Sequence, residues 1–151
     1  GEMRAVVQRV RRASVRVDGK SVGSIEKGLL VFVGIGRGDL DQDVSYIADK
    51  LSTLRLFDDD DGKMNWSVSD VGGSLLVVSQ FTLFADCRRG RRPSYTAAAG
   101  SETARQLYEN VIDRLRRHGC SVQTGTFQAH MDVECVNDGP VTVLLDSNRV
   151  F

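Results

Sequence analysis

Two short polar segments adjoin apolar runs and supply the best candidates for chemistry. The first follows the apolar run at residues 75–78 and consists of Ser79, Gln80, Phe81 and Thr82. The second, residues 137–140, ends in Gly139-Pro140, a candidate cis peptide, and precedes the apolar run at 141–145. Hydroxyl and amide groups are costly to bury without partners, so these segments are poor candidates for core. By composition alone, a polar ending of an edge strand explains the first segment equally well.

Two other segments resemble ligand-binding loops but have the wrong spacing. The glycine-rich stretch at 34–39 has Asp39 where the dinucleotide fingerprint needs its third glycine, and no Walker lysine follows. The acidic run at 58–62 would place the first and last ligands of a calcium loop at Phe57 and Val68. We therefore predict that residues 34–39 form a strand-to-helix turn and that residues 58–62 form a solvated turn.

The chain is poor in side chains for acid–base catalysis. His118 and His130 are its only histidines, and no G-x-S-x-G segment presents a serine nucleophile. His118 falls at a predicted helix end, where its charge would complement the helix dipole. His130 stands beside Phe127 and Met131, which are four residues apart near a strand end and are either plain core or the wall of a pocket. We expect no metal and no other cofactor.

A cluster of arginines comes shortly after the first polar segment. Its members are Arg88, Arg89, Arg91 and Arg92. Most charge runs are solvated loops, but guanidinium groups beside a reactive strand end suit a polyanion. We therefore predict that this loop contacts phosphate groups.

Composition restricts the class of protein. A length of 151 residues indicates about one domain, and a formal net charge of zero argues against a general nucleic-acid coat protein while allowing a local basic patch. The three cysteines lack any C-x-x-C spacing and fit reduced thiols in a cytosolic protein. No apolar run could span a membrane and no signal peptide is evident, so we expect a cytoplasmic protein. Gly1-Glu2 precedes Met3 and is predicted to be an addition to a single domain of residues 3–151.

Hydrophobic periodicity predicts a strand-rich α/β domain with two main helices. Strands are predicted at residues 3–10, 13–17, 21–25, 28–34 and 75–78, near 122, and at 127–136 and 141–145. A hairpin turn is predicted at Asp18-Gly19. The first helix would follow a cap at Asp39 or Asp41, and the second would run from a cap at Ser101 to about residue 118, before Gly119. Whether strands pair parallel or antiparallel does not follow from these patterns.

The two polar segments resemble the signature motifs of the D-aminoacyl-tRNA deacylases, homodimeric enzymes that remove D-amino acids from tRNA. Further matches follow in family order at residues 3–10, 13–17, 28–34, 55–57, 62–65, 91–94 and 125–127. The likeness thus covers nearly the whole chain. It departs at Gln128, where the family usually has a small residue, and at His130, where an acidic residue is common.

The resemblance implies a β-barrel-like sheet with helices packed outside, in a homodimer whose subunits share active sites. It places Phe127 and Met131 near the terminal adenosine and aminoacyl group of the tRNA 3′ end. It also implies that the carbonyl groups at Gly139-Pro140 enter the pocket of the partner subunit and accept hydrogen bonds from the α-ammonium group of the substrate. A D side chain would then point to solvent, an L side chain would meet backbone, and glycine would be accepted.

The same resemblance implies hydrolysis of the ester with a small contribution from side chains. Backbone N–H groups around Phe81-Thr82 would stabilise the oxyanion, Gln80 would orient the ribose or the carbonyl, and water would attack with help from the ribose 2′-hydroxyl. A rival mechanism makes Thr82 the nucleophile, although no base is evident. Two other functions remain possible at this point, a tRNA-binding module without activity and a small-molecule esterase.

Overall fold

The computed structural model describes residues 1–151 and contains eight strands, two α-helices and one short 3₁₀ helix. The strands are β1 (Arg4–Val17), β2 (Lys20–Ile25), β3 (Gly28–Gly34), β4 (Phe57–Asp58), β5 (Met64–Trp66), β6 (Ser74–Ser79), β7 (Ser121–Thr124) and β8 (Asp132–Asp146). The helices are α1 (Asp41–Thr53), the 3₁₀ helix (Phe81–Phe84) and α2 (Ser101–Arg117). The predicted strand-rich α/β fold with two main helices is confirmed.

Six of the strands form one strongly curved sheet. Its β1 strand pairs antiparallel with β8 along one edge and with β2 and β3 along the other. The sheet then continues through β6 and β7, which are joined by parallel pairing. A side chain at Gly23 of β2 would overlap the carbonyl oxygen of Thr124 in β7, so these two strands approach closely. The sheet is therefore almost closed into a barrel.

The curvature of the sheet separates two apolar cores. In β6, Leu75 and Val77 point to the larger core, which α1 and α2 cover. Leu76 and Val78 point to the smaller core inside the barrel. Successive side chains of a strand point to opposite faces, so a strand covered on both faces must be apolar throughout. This explains the continuous apolar runs of β3 and β6.

The two helices begin differently from the prediction. The residue preceding α1 is Leu40, whose N–H group donates a hydrogen bond of 2.8 Å to the Asp43 carboxylate, whereas Asp39 accepts from the Gly36 N–H group. Gly100 precedes α2, and Ser101 is its first residue without a capping bond. The predicted caps at Asp39, Asp41 and Ser101 were therefore wrong. No helix of this chain is long and apolar enough to span a membrane.

The end of α2 agrees better with its sequence. Gly119 has φ +87°, a left-handed conformation that favours glycine, and it follows the helix directly. The predicted apolar stripe is buried at Tyr108, Val111, Ile112 and Leu115. His118 ends the helix and also contacts Asp49 of α1, at 2.9 Å from Nε2 to Oδ1. His118 thus links α2 to α1, and it also lies at the end of α2 where a positive charge complements the helix dipole.

Three strand predictions required correction. The first two predicted strands are a single strand, β1, which pairs with β3 in its first half and with β2 in its second. Residues 127–131 form a turn, so the strand predicted from Phe127 begins only at Asp132. It then continues to Asp146, and the run at 141–145 belongs to the same strand. The hairpin at Asp18-Gly19 is confirmed, with φ +50° and +77°.

Candidate functional site

A cavity of about 740 Å³ opens where β3 and β6 end. Its apolar floor continues the core inside the barrel and includes Phe32, Val78, Met131 and Val133. The rest of the wall comes from the 3₁₀ helix, from the segment before α2 and from the 127–131 turn. All four residues of the first polar segment line this cavity. The carboxyl ends of parallel strands are common positions for ligand sites.

Close backbone packing fixes the first polar segment. The Gln80 N–H group donates to the Val33 carbonyl at 2.8 Å, which continues the β3–β6 pairing for one residue beyond the strand. A Cβ atom at Gly34 would lie 3.0 Å from the Leu83 Cβ and 3.1 Å from the Gln80 oxygen. Gly34 therefore lets the 3₁₀ helix approach β3 closely, and this places Phe81 and Thr82 at the cavity wall.

The N–H groups of Phe81 and Thr82 bond to no acceptor within the chain. They belong to the first turn of the 3₁₀ helix, where N–H groups have no partner inside the helix. Two such donors beside an apolar cavity can stabilise negative charge that develops on a carbonyl oxygen. The side chain of Thr82 forms no hydrogen bond to a histidine, lysine or carboxylate. The site therefore offers two unpaired N–H donors but no bonded base for this hydroxyl.

The wall opposite the 3₁₀ helix is built on Phe127 and Met131. Phe127 packs against Tyr108, with ring centroids 5.9 Å apart, and lies under the Arg105 guanidinium at 4.9 Å. A Cβ atom at Gly125 would lie 2.6 Å from the Met131 sulfur, so a larger residue there would displace the Met131 side chain. Burial raises the pKa of Tyr108, whose hydroxyl donates to the Val77 carbonyl at 2.7 Å. Tyr108 is therefore a structural support and remains protonated.

The departures from the family pattern lie in the same wall. Gln128 has φ +64°, a left-handed conformation in which glycine avoids the strain that other residues carry. Its side-chain amide donates a hydrogen bond of 2.6 Å to the Ser101 hydroxyl. This bond ties the turn to the start of α2. Gln128 and His130 both line the cavity.

Gly139-Pro140 lies elsewhere on this chain. The peptide bond is cis, both residues are exposed, and neither lines the cavity. The prediction that they lie between two separate strands was wrong, because they interrupt the middle of β8. Pairing with β1 stops at Asn137 and resumes at Thr142, so the residues between them bulge out. We call residues 138–141 the Gly-Pro loop.

Arg9 and Asn137 hold the Gly-Pro loop; Asn137 belongs to the second polar segment, whereas no sequence motif had indicated Arg9. The Asn137 side-chain amide donates to the Arg9 and Val141 carbonyls, at 3.0 and 2.9 Å. Arg9 is only 7% exposed, and its guanidinium donates to the Leu56 carbonyl and to the Asp138 carbonyl. Arg9 stands at an inward position in the alternation of β1, after Ala5 and Val7. The sequence signal that could have identified Arg9 is a charged residue at a strand position whose side chain points inward.

The predicted arginine cluster is a closed loop with two kinds of arginine. The backbones of Asp86 and Ser94 exchange two hydrogen bonds of 2.7 and 2.9 Å, which close residues 86–94 into the arginine loop. Arg88 donates two side-chain hydrogen bonds to the Asp86 carboxylate and lowers the pKa of that carboxyl to about 2. The remaining three are exposed and form no ion pair: Arg89, Arg91 and Arg92. Arg88 therefore shapes the loop, and the other three present charge to solvent.

No group of three or more histidine, cysteine or acidic side chains is placed to hold a metal ion. The acidic run at 58–62 is a turn, in which the Asp59 carboxylate accepts from the N–H groups of Asp61 and Lys63. It links the short strands β4 and β5, which the sequence did not predict.

The chain matches known proteins over its full length. A D-aminoacyl-tRNA deacylase of Thermotoga petrophila is 58% identical over 149 residues, which are 99% of this chain and 100% of that protein. A D-aminoacyl-tRNA deacylase of Fervidobacterium nodosum is 60% identical with the same coverage. These identities are far above those at which only a fold is shared.

Two solved structures share the fold. One, titled c-Myc DNA Unwinding Element Binding Protein, has a TM-score of 0.88 and 38% identity over 94% of this chain and 97% of its own. The other is titled as a probable eukaryotic D-amino acid tRNA deacylase, with a TM-score of 0.83 and 16% identity over 97% of this chain and 100% of its own. The family model for D-Tyr-tRNA(Tyr) deacylase matches residues 6–146. The chain belongs to this deacylase family.

Proposed function

We propose that this protein hydrolyses the ester between a D-amino acid and the 3′-terminal adenosine of tRNA, and likewise that of mischarged Gly-tRNA. The observation that carries the proposal is the pair of free N–H groups at Phe81 and Thr82 beside an apolar cavity. Such donors stabilise the oxyanion of ester hydrolysis. Family membership supports the same chemistry. The function is chiral proofreading during translation, in the cytoplasm.

The reaction proceeds by addition of water and loss of the ribose oxygen. Water attacks the ester carbonyl carbon, and the carbonyl electron pair moves to the oxygen that the Phe81 and Thr82 N–H groups hold. When this tetrahedral species collapses, the bond to the ribose oxygen breaks and that oxygen takes a proton. Gln80 orients the ribose or the carbonyl from the same wall. The ribose 2′-hydroxyl lies next to the reacting carbonyl and assists the water by proximity.

Chirality is read by the Gly-Pro loop of the partner subunit. The loop is exposed and lies outside the cavity of its own chain, which supports a function in a second subunit. Its carbonyl groups accept hydrogen bonds from the substrate α-ammonium without adding charge. With the ammonium and the ester both held, a D side chain points outward, whereas an L side chain meets the wall.

A deacylation assay tests the proposed activity. The purified protein is expected to release D-tyrosine from D-Tyr-tRNA and to leave a simple aryl ester intact. Tight binding of D-Tyr-tRNA without release of amino acid would identify a tRNA-binding module instead. Rapid turnover of the aryl ester would identify a small-molecule esterase.

A homodimer is expected, since the Gly-Pro loop has no pocket to serve in a monomer. Two features support association: β8 is paired only on its β1 side, and Leu144 on this strand is 47% exposed. Two-fold closure is the commonest form of assembly. Sedimentation at assay concentration should give a dimer, and a fully active monomer would contradict the proposal.

Mixing two inactive variants tests whether the loop acts across subunits. Gly139→Ala alters the loop, and Ala129→Trp fills the cavity that Ala129 lines. In a mixed dimer, one site combines the intact loop of one chain with the intact cavity of the other. Refolding the two variants together should restore about a quarter of the wild-type activity, because half of the dimers are mixed and each has one working site. No recovery would place the loop in its own chain.

The arginine loop is expected to steer the tRNA by its charge. Replacing Arg89, Arg91 and Arg92 by alanine should raise KM more than it lowers kcat. The slope of log affinity against log salt should fall by about 0.7 to 0.9 for each phosphate group that the loop no longer neutralises. Arg117→Ala is the control, since Arg117 is also an exposed arginine but lies at the far end of α2, where it pairs with Asp113. A triple variant with an unchanged slope would show that the loop is only solvated.

A further inference from the structure

We infer that Phe81 and Tyr95 form an aromatic shelf that stacks the nucleobase preceding the terminal adenosine of the substrate. This inference rests on the proposed function, because that function places the terminal adenosine and its aminoacyl group in the cavity. It assigns a role to two side chains that the hydrolytic chemistry does not use. The catalytic contribution of Phe81 comes from its N–H group and leaves its ring available.

The two rings lie at the rim of the cavity. Both residues line it, yet the Phe81 side chain is 57% exposed and that of Tyr95 is 38% exposed. Their centroids are 5.0 Å apart and their planes meet at 71°. In this edge-to-face pair, the two rings contact each other through an edge and a face, so their outer surfaces remain accessible to a ligand. Large aromatic side chains exposed beside a cavity are a common feature of binding surfaces.

The shelf is held by backbone bonds on both sides. Tyr95 directly follows Ser94, which closes the arginine loop, and its carbonyl accepts from the Ala98 N–H group at 3.0 Å. The next residues bond to the turn after β3, through Arg37 N–H to the Ala97 carbonyl at 2.9 Å. Phe81 begins the 3₁₀ helix, whose position β3 fixes. A base would therefore meet a surface whose order does not depend on binding, and this lowers the entropic cost of association.

The positively charged arginine loop and the aromatic shelf are adjacent in the chain, and a site for a single-stranded nucleic acid requires both kinds of group. Tyr95 lies three residues after Arg92, and the three unpaired guanidinium groups of the arginine loop precede it. Sites for single strands combine cationic groups along the backbone with aromatic rings that stack bases. The unpaired 3′ end of a tRNA has both partners, and a base just outside the cavity is the first one that the shelf can reach. Stacking tolerates any base, so this contact fits a segment common to all substrates.

Substrates that differ in a single base test the inference. We compare D-tyrosyl esters of a ribotrinucleotide with a cytosine, or with an abasic residue, before the terminal adenosine. Tyr95→Leu should raise KM for the cytosine substrate about 5- to 100-fold, as expected for the loss of one stacked base. Its kcat, and both constants for the abasic substrate, should stay within about twofold. Tyr95→Phe should behave as the wild type, since the ring is kept.

A second readout does not require hydrolysis. An uncharged trinucleotide with 2-aminopurine before the terminal adenosine should lose fluorescence on binding to the wild type, and this quenching should be absent with Tyr95→Leu. Tyr46→Leu is the matched control, because Tyr46 lies on α1 outside the cavity. Circular dichroism and melting of each variant exclude loss of the fold as the cause.

The outcomes separate this inference from the proposed function. Equal KM values of Tyr95→Leu and wild type for the cytosine substrate would overturn the shelf, as would an equal rise of KM for the abasic substrate. A wild type that quenches 2-aminopurine through Tyr95 but cleaves no D-ester would support the shelf and contradict the proposed activity. A wild type that cleaves D-esters but does not quench the 2-aminopurine fluorescence would support the proposed activity and contradict the shelf.

Discussion

D-Tyr-tRNA and Gly-tRNA will be hydrolysed by the purified protein, and L-Tyr-tRNA will be hydrolysed at least about 100-fold more slowly than D-Tyr-tRNA. The expected ratio corresponds to about 2.7 kcal/mol in activation free energy. Forcing a side chain into a well-packed wall typically costs about 1–3 kcal/mol, and a wall of backbone cannot yield by changing a rotamer. The measurement is the rate of deacylation of matched D and L esters on one tRNA. Comparable rates would remove the Gly-Pro loop from the mechanism of selection.

A variant of Gly139 connects this selection to its structural cause. Gly139 has φ +128°, and a Cβ atom there would lie 2.8 Å from Val141 Cγ2 and 3.2 Å from the Arg9 guanidinium. Gly139→Ala must therefore reshape the loop. We expect it to lose D-Tyr-tRNA hydrolysis about 100-fold or more and to narrow the ratio of D to L rates.

A control is available for the backbone effect itself. Gly19, in the turn between β1 and β2, has φ +77°, and a Cβ atom added there would have no other heavy atom within 4 Å. Gly19→Ala should lower stability by about 1–2 kcal/mol, the cost of a left-handed non-glycine residue, and leave activity and selectivity unchanged. If Gly19→Ala and Gly139→Ala lost activity equally, the loss in Gly139→Ala would be due to lower stability and not to the Gly-Pro loop.

The second large effect concerns the nucleophile. D-Tyr-tRNA ending in 2′-deoxyadenosine should be hydrolysed at least about 1,000-fold more slowly than the natural substrate, because the 2′-hydroxyl is held next to the ester. Thr82→Ala should keep its rate within about tenfold, or 1.4 kcal/mol in barrier. The Thr82 hydroxyl has no base bonded to it, and an unactivated hydroxyl is a weak nucleophile. Single-turnover rates measure both.

The opposite pattern would restore Thr82 as the nucleophile. An inactive Thr82→Ala variant, together with a wild type that still cleaves the deoxy substrate, would require a covalent ester on Thr82. Mass spectrometry of the quenched enzyme would detect that acyl group. Thr82→Ser is the useful companion, because it keeps a hydroxyl and should stay active under either mechanism.

Much of this protein follows from local sequence. Alternation and continuous apolar runs predicted most of the main sheet and the two helices, since these signals depend on the burial of one face or two. The two polar segments, through their resemblance to known motifs, indicated the deacylase family, and the full-length relatives confirm it. The left-handed residues Asp18, Gly19 and Gly119 were also predictable, because turn and cap conformations depend on few neighbours.

The predictions of the helix caps and of the strands around Gly139-Pro140 were wrong for the same reason. The sequence offered Asp39, Asp41 and Ser101 as caps, but each can also bond elsewhere, and Asp39 accepts from Gly36 while Ser101 accepts from Gln128. A Gly-Pro pair usually ends a strand, yet β8 continues because β1 pairs with it on both sides of the bulge. Local propensity does not decide between partners that are distant in sequence.

The sequence by itself determined which residues can act and which family they belong to; their arrangement depended on the tertiary structure. Ser79 and Met131 lie 52 positions apart, and the closing of the sheet brings them to one cavity. The free N–H groups of Phe81 and Thr82 carry no side-chain signal, since every residue but proline has such a group and only the fold leaves it unpaired. Contacts between distant residues made these choices, and composition and spacing do not encode them.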